Sequence, residues 1–194
     1  ADLTSKAGDK VLVNGPSGAG KSTLFRAIAG IWPFGSGTVN VPANAKVMML
    51  PQRPYFPIAP LAAAVAYPAE PGTFDSGQVA ELIAAVGLPA LASRIEEEAH
   101  WNRMLSPGEQ QRLGIARAIL LGPDFLFLDE ATASLDEAAE ATVYQLLEQR
   151  LPRTTIVSIG HRSTLAAFHD RRLILKREGD RVWLRDGGSA QPAE

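Results

Sequence analysis

The sequence contains no cysteine, which excludes disulfide bonds and metal sites built from thiolates. It has no long apolar run either. The longest candidate, residues 57–69, is short and contains three prolines, so no transmembrane helix is predicted there. Positive charge is not in excess, because the formal net charge is −2. A surface for a polyanion such as DNA is therefore not indicated.

The most informative feature of the sequence is a glycine-rich loop, which lies between an apolar run at 10–14 and a helix-forming run from Leu24. Its pattern is a glycine, four residues and then Gly-Lys-Ser, which is typical of a phosphate-binding loop. Glycines let the backbone N–H groups face phosphate oxygens, and the dipole of the next helix adds to the attraction. In such a loop Lys21 reaches the β- and γ-phosphates, and the Ser22 hydroxyl is a ligand of Mg²⁺. The loop residues are Gly15, Pro16, Ser17, Gly18, Ala19, Gly20, Lys21, Ser22 and Thr23.

A second candidate site follows the apolar run Phe125–Leu128. Four consecutive apolar residues indicate a strand that is buried on both faces, as in a parallel sheet. Asp129 and Glu130 then stand at its carboxyl end, where open α/β sheets bind their ligands. Successive side chains point to opposite faces, so the two carboxylates can have different roles. Asp129 fits an outer-sphere ligand of Mg²⁺, and Glu130 fits the group that orients or deprotonates an attacking water.

The segment Leu105–Arg112 has the pattern of a helix start. Ser106 fits the N-cap, Pro107 fits the first helical position, and Glu109 completes a capping box with Ser106. Because a capped helix N-terminus also attracts anions, this segment is another candidate phosphate contact.

Taken in order, these motifs resemble those of ATP-binding-cassette (ABC) ATPases. The phosphate loop is followed by Gln52, by a signature-like segment at Ser106–Gln110 and by the acidic pair. Ser134–Asp136 then resembles the D-loop, and His161 resembles the switch histidine. The six motifs span residues 15–161, which is most of the chain.

The resemblance implies that two such domains pair head to tail around two molecules of Mg-ATP. Ser106 and Gly108 of one domain would contact the ATP that the phosphate loop of the other domain holds. Gln52 would sense Mg²⁺ and the attacking water, His161 would contact the γ-phosphate, and Asp136 would couple the two sites. The implied metal ligands are Ser22, Gln52 and Asp129, and the implied catalytic residues are Gln52, Glu130 and His161.

Two positions depart from the family pattern. Pro107 replaces the usual second glycine of the signature, at a helix position where the missing N–H is partly redundant. Glu109 replaces the usual glutamine, and the capping box predicts that this carboxylate turns back onto its own helix. The family's adenine-stacking aromatic lies upstream of the loop, whereas the 14 residues before Gly15 contain none, so we expect weak ATP binding.

Alternating strand and helix signals predict an α/β fold: a P-loop NTPase core with a mostly parallel sheet and an inserted helical subdomain. The first part of the ATP-binding core is predicted at 1–57, with a strand at Thr38–Val41. The helical subdomain is predicted at 58–121. The second part of the core is predicted at 122–186, ending in a hairpin, and residues 187–194 are predicted to be a disordered tail.

Finer features resemble the peroxisomal fatty-acyl half-transporters and the bacterial relatives that import peptides or cobalamin. Such proteins fuse an N-terminal membrane domain to the cassette, so we expect a transmembrane domain ahead of Ala1. We also expect a homodimer with a second nucleotide-binding domain, at the cytoplasmic face of a cell inner membrane or a peroxisomal membrane. Arg53–Tyr55 and the helical subdomain would receive the membrane domain. The features are Gly30–Pro33, Leu50–Tyr55, Tyr67–Pro68, Trp101, Leu105–Arg112 and Gly160–Arg162.

Two other functions are open alternatives. A soluble ABC ATPase acting on nucleic acid or a ribosome is disfavoured by the weak negative charge and the lack of zinc-binding cysteines. The compact stretch at 53–105 also differs from the coiled coil that DNA-repair members carry there. A nucleotide-binding regulatory module without hydrolysis is disfavoured by the presence of Glu130 and His161.

Overall fold

The computed structural model describes residues 4–30, 38–179 and 181–190. Helices and strands alternate along them, and the predicted α/β fold with a mostly parallel sheet is confirmed. The chain divides into two compact units. The first unit comprises residues 1–49, 123–130 and 153–194, and the second comprises residues 50–122 and 131–152.

In chain order the elements are β1 (Lys10–Asn14), α1 (Lys21–Ile28), β2 (Val47–Leu50), β3 (Ala59–Pro60), α2 (Leu61–Ala66), α3 (Ser76–Ala85), α4 (Pro89–Ala92), β4 (Glu98–Ala99), α5 (Trp101–Met104), α6 (Pro107–Leu121), β5 (Phe125–Asp129), α7 (Glu137–Arg150), β6 (Thr155–Ile159), a 3₁₀ helix (Ser163–Phe168), β7 (Arg171–Glu178) and β8 (Arg181–Ser189).

The six-stranded sheet has the order β2-β5-β6-β1-β7-β8. Strands β5, β6, β1 and β7 run parallel, and β8 pairs antiparallel with β7. Helix α1 packs against β5 through Phe25 and Phe127, whose rings meet edge to face with centroids 5.0 Å apart. Because parallel strands end at the same edge, the segments after β1, β5 and β6 lie together there. One hydrophobic cluster of the core is formed by Val11, Val13, Phe25, Phe127, Ile159 and Leu173.

The second unit is built around α6, which is buried over most of its circumference, as expected of a helix surrounded by other elements. Helix α3 begins at Ser76, because the side chain of the N-cap residue Asp75 accepts a hydrogen bond from the Gln78 N–H. Short strands β3 and β4 pair antiparallel. Among the described residues, every helix is too short or too polar to cross a membrane.

Two predictions from the sequence are wrong. Residues 38–41 form no strand in the described part of the chain, and Val39 and Val41 remain about half exposed, so burial in a sheet does not stabilise them. The predicted disordered tail begins too early, because β8 continues to Ser189, which pairs opposite Arg171. Residues 191–194, like Ile31–Pro33 of the transporter-like features, lie outside the described residues.

The domain bounds proposed from composition stay a prediction. The two compact units follow a different division, because the second unit begins at Leu50 and also includes residues 131–152. Helix α7, which composition assigns to the core, therefore belongs with α6 in the second unit.

Candidate functional site

The loop after β1 has the backbone shape that its glycines predict. Gly18 and Gly20 have φ values of 77° and 91°, in the left-handed region that favours glycine, and Gly20 is the N-cap of α1. Gly15 is required for a different reason. A Cβ atom there would lie 2.6 Å from the carbonyl oxygen of Leu175, so any side chain would displace the start of the loop.

Lys21 is the buried cation of this loop, with 6% of its surface exposed. Its Nζ donates hydrogen bonds to the carbonyl oxygens of Gly15 and Pro16, at 2.7 and 2.9 Å. Burial lowers the pKa of Lys21, and the negative charges of Glu130 and Asp129 oppose that change. The Lys21 ammonium group therefore lies within the electrostatic field of Asp129 and Glu130. Its present hydrogen-bond partners are neutral carbonyl oxygens, which an anion could replace.

The acidic pair occupies the end of β5, as predicted. Asp129 pairs in register with Ile159 of β6, and the N–H of Glu130 donates to the Ile159 carbonyl at 3.0 Å. Glu130 has a φ of 52°, which is a strained conformation for a residue other than glycine. Its Oε1 lies 2.8 Å from Nε2 of His161. The first unit thus brings the phosphate loop, the acidic pair and His161 to one edge of its sheet.

Ser106 and Glu109 form the predicted capping box at the start of α6. The N–H of Glu109 donates to Ser106 Oγ at 3.2 Å, and the N–H of Ser106 donates to Glu109 Oε1 at 2.9 Å. The prediction that the Glu109 carboxylate turns back onto its own helix is confirmed. Its negative charge is engaged by the helix N-terminus, where it is stabilised by the dipole.

A cleft of about 400 Å³ opens in the second unit beside this helix start. Gly108 allows the two walls to approach, because a Cβ atom there would lie 3.3 Å from the Ser134 carbonyl oxygen. Asp136 is the N-cap of α7, and its Oδ1 accepts from the Ala139 N–H at 2.7 Å. The cleft is lined by Ser106, Pro107, Gly108, Glu109, Arg112, Ser134, Leu135 and Asp136.

Gln52 also belongs to the second unit, and its side chain is exposed. Its carbonyl oxygen accepts a hydrogen bond at 3.0 Å from Nε2 of Gln111. No sequence motif assigns a role to Gln111, or to Arg177, whose Nη1 lies 3.5 Å from the carbonyl oxygen of Gly18 in the phosphate loop. The spacing of a local motif carries no signal for either contact, since both join distant parts of the chain.

Comparison with known proteins identifies the relatives of this chain. Residues 1–133 match the family model described as "ABC transporter". A Haemophilus influenzae protein described as "Uncharacterized ABC transporter ATP-binding protein" is 48% identical over 178 residues, covering 92% of this chain and 30% of that protein. The mouse "Lysosomal cobalamin transporter ABCD4" is 34% identical and is matched over 94% of this chain and 32% of its own length.

A solved structure titled "Structure of a bacterial Atm1-family ABC exporter with ATP bound" is also similar. It has a TM-score of 0.76 and 26% identity, covering 88% of this chain and 32% of that one. The chain spans between 27% and 30% of the first three curated relatives. The descriptions of these relatives are those of ABC transporter proteins, and none of them names action on nucleic acid or a ribosome.

Proposed function

Because this chain belongs to the ABC transporter family, we propose that its first unit binds Mg-ATP at the phosphate loop and hydrolyses it to power transport. The observation that carries the proposal is the grouping of Lys21, Asp129, Glu130 and His161 at one edge of the sheet. One buried cation, one carboxylate for a metal and one carboxylate held by an imidazole are the groups that phosphoryl transfer to water requires.

The residues present fit a magnesium ion. The Ser22 hydroxyl and the Asp129 carboxylate are hard oxygen donors, and Mg²⁺ is usually held by few protein ligands together with substrate phosphates. Gln52 is proposed as a further oxygen ligand. When bound, Mg²⁺ would neutralise charge on the phosphate oxygens.

Lys21 would exchange its bonds to the Gly15 and Pro16 carbonyls for bonds to phosphate oxygens. Glu130 would accept the proton of the attacking water, because its carboxylate is partly exposed and has an imidazole partner that fixes its position. His161 would hold Glu130 in this orientation and would also contact the γ-phosphate.

We further propose that two copies of the domain pair head to tail in a homodimer. The cleft beside α6 supports this, since Ser106, Gly108 and Asp136 all line it and the helix N-terminus attracts phosphate. The bonding of Glu109 to Ser106 removes an obstacle, because that carboxylate is directed onto its own helix.

A membrane domain in the same polypeptide, ahead of this chain, is the proposed partner for the exposed surface around Tyr55. Tyr55, Ile58 and Tyr67 are 60%, 62% and 41% exposed, and the two tyrosine rings meet edge to face at 5.4 Å. Exposed aromatic side chains supply large contact area at low entropic cost, which suits a docking surface. The domain would then work at the cytoplasmic face of the membrane.

ATP hydrolysis by the complete protein, with Glu130→Gln and Lys21→Ala variants, tests the proposal. Glu130→Gln should lower kcat by about 10²–10⁴-fold, the usual contribution of a general base, and should leave ATP binding intact. Lys21→Ala should weaken ATP binding itself. Lys46→Ala, which removes an exposed lysine, is the matched control. Hydrolysis near the wild-type rate by Glu130→Gln would refute the assignment of the base.

A further inference from the structure

Gln111 is a buried side-chain amide in α6 that bonds to two separate backbone segments of the second unit. It is 1% exposed. Its Nε2 donates to the Gln52 carbonyl oxygen at 3.0 Å, and its Oε1 accepts from the Ser134 N–H at 2.8 Å. These partners lie 59 residues before and 23 residues after Gln111 in the chain.

The two partners determine the orientation of the amide. A carbonyl oxygen can only accept and a backbone N–H can only donate, so the glutamine nitrogen must face Gln52 and its oxygen must face Ser134. An ionised glutamate of the same length would keep the acceptor but lose the donor. A methionine would fill similar space and supply neither bond.

Both bonded segments carry residues of the proposed mechanism. Gln52 would contact Mg²⁺ through its side chain, and its backbone is bonded to Gln111. Ser134 opens the run Ser134–Asp136 that lines the cleft, and its carbonyl oxygen also lies close to Gly108. Gln111 therefore joins the backbone of a metal-sensing residue to the backbone of the loop that would meet the second domain.

We propose that Gln111 is a positioning residue that fixes the backbone of Gln52 relative to the 134–136 segment. Through this link, the response of Gln52 to Mg²⁺ and the contact of residues 134–136 with the second domain change together. The proposal rests on the proposed function, in which Gln52 responds to Mg²⁺. It requires that loss of the Gln111 amide impair the use of Mg²⁺ in hydrolysis while ATP binding at the phosphate loop is retained.

The test uses Gln111→Glu and Gln111→Met in the complete protein, with Asn102→Leu as the matched control. Asn102 is also an amide that bonds to this stretch of backbone, donating to the Pro54 carbonyl and accepting from the Phe56 N–H, but it contacts neither Gln52 nor Ser134. Hydrolysis is measured against Mg²⁺ concentration. Backbone hydrogen exchange is measured in peptides that cover residues 131–136.

Both Gln111 variants should raise the Mg²⁺ concentration for half-maximal hydrolysis by about tenfold, the factor that one ordinary hydrogen bond represents. Asn102→Leu should keep the wild-type requirement. In a Gln52→Ala background, Gln111→Met should add nothing further, because its effect passes through Gln52. Exchange at 131–136 should accelerate in Gln111→Met and stay near wild type in Gln111→Glu, which keeps the acceptor for Ser134.

A wild-type Mg²⁺ requirement in Gln111→Met, or the same increase in Asn102→Leu, would overturn the proposal, because Gln111 would then be an ordinary core amide. Absence of hydrolysis in the wild-type protein would instead refute the proposed function. In that case hydrogen exchange still tests the link between Gln111 and the 134–136 segment. Equal protection of residues 131–136 in Gln111→Met and the wild type would overturn this link. Faster exchange in Gln111→Met than in Gln111→Glu would support it.

Discussion

Protonation of His169 should destabilise the first unit in mild acid. The imidazole is 1% exposed, with Nδ1 2.6 Å from the Leu165 carbonyl oxygen and Nε2 2.8 Å from Ser158 Oγ. In the neutral ring Nδ1–H donates to the carbonyl, and Nε2 accepts from the serine hydroxyl. Burial lowers the pKa of His169 to about 4, although the Leu165 bond and the charge of Asp170 oppose the change.

The size of the effect follows from the two pKa values. In the unfolded chain the pKa is near its ordinary value of 6.5, and in the folded chain it is about 4. At pH above 6.5 the ring is neutral in both states. As the pH falls, the unfolded chain binds the proton first, so the free energy of unfolding decreases between pH 6.5 and about 4. At about 1.4 kcal/mol per pH unit the full loss is about 3 kcal/mol, of which roughly 2.5 kcal/mol is lost by pH 4.5.

Urea denaturation of the wild type and of His169→Asn, at pH 7.5 and pH 4.5, isolates this contribution. Asparagine does not titrate, so carboxylate effects common to both proteins cancel in the difference. The variant should be less stable than the wild type at pH 7.5, and the gap should narrow by about 2.5 kcal/mol at pH 4.5. A gap that is the same at both pH values, or an NMR titration of the His169 ring with a pKa near 6.5, would refute the reasoning.

Two further substitutions test individual contacts. Gly15→Ala should weaken ATP binding about tenfold or more in calorimetric titration, because its methyl group would meet the Leu175 carbonyl oxygen and displace the phosphate loop; unchanged affinity would show that the loop tolerates the shift. Glu109→Ala should lower the free energy of unfolding by about 1 kcal/mol, whereas Glu109→Gln should be nearly neutral, since glutamine also accepts from the Ser106 N–H. Equal losses in both variants, measured by urea denaturation, would contradict the capping role.

Features encoded over a few consecutive residues could be predicted from the sequence. The phosphate loop, the acidic end of β5 and the Ser106 capping box each depend on spacing within fewer than ten residues, and the structure forms all three. Thr38–Val41 has the composition of a strand, but no strand forms there. Composition alone cannot decide such a case, because strand pairing and burial stabilise a sheet more than intrinsic preference does.

The left-handed backbone of Glu130 could not be predicted, because that conformation is uncommon for a residue other than glycine. It is compatible with the fold because the Glu130 N–H is bonded to Ile159 at the end of the neighbouring strand. The same turn leads to the contact of the carboxylate with His161. The strained backbone of Glu130 and the position of its carboxylate, the proposed base, therefore both arise where β5 ends beside β6 at the edge of the sheet.

The helix start at Ser106 shows how one short segment can serve two purposes. Its capping box is local and was visible in the sequence, and it leaves the helix N-terminus ordered with the Glu109 carboxylate already bonded. Gln111 lies about one turn further along the same helix, and its side chain bonds to two backbone segments that are distant from it in the sequence. Because α6 is largely buried and Gln111 is bonded to the backbone of Gln52, we expect a displacement at the N-terminus of α6 to shift Gln111 and, through it, Gln52. A contact made at the cleft would thus alter the position of Gln52, the residue proposed to respond to Mg²⁺, without a separate moving part.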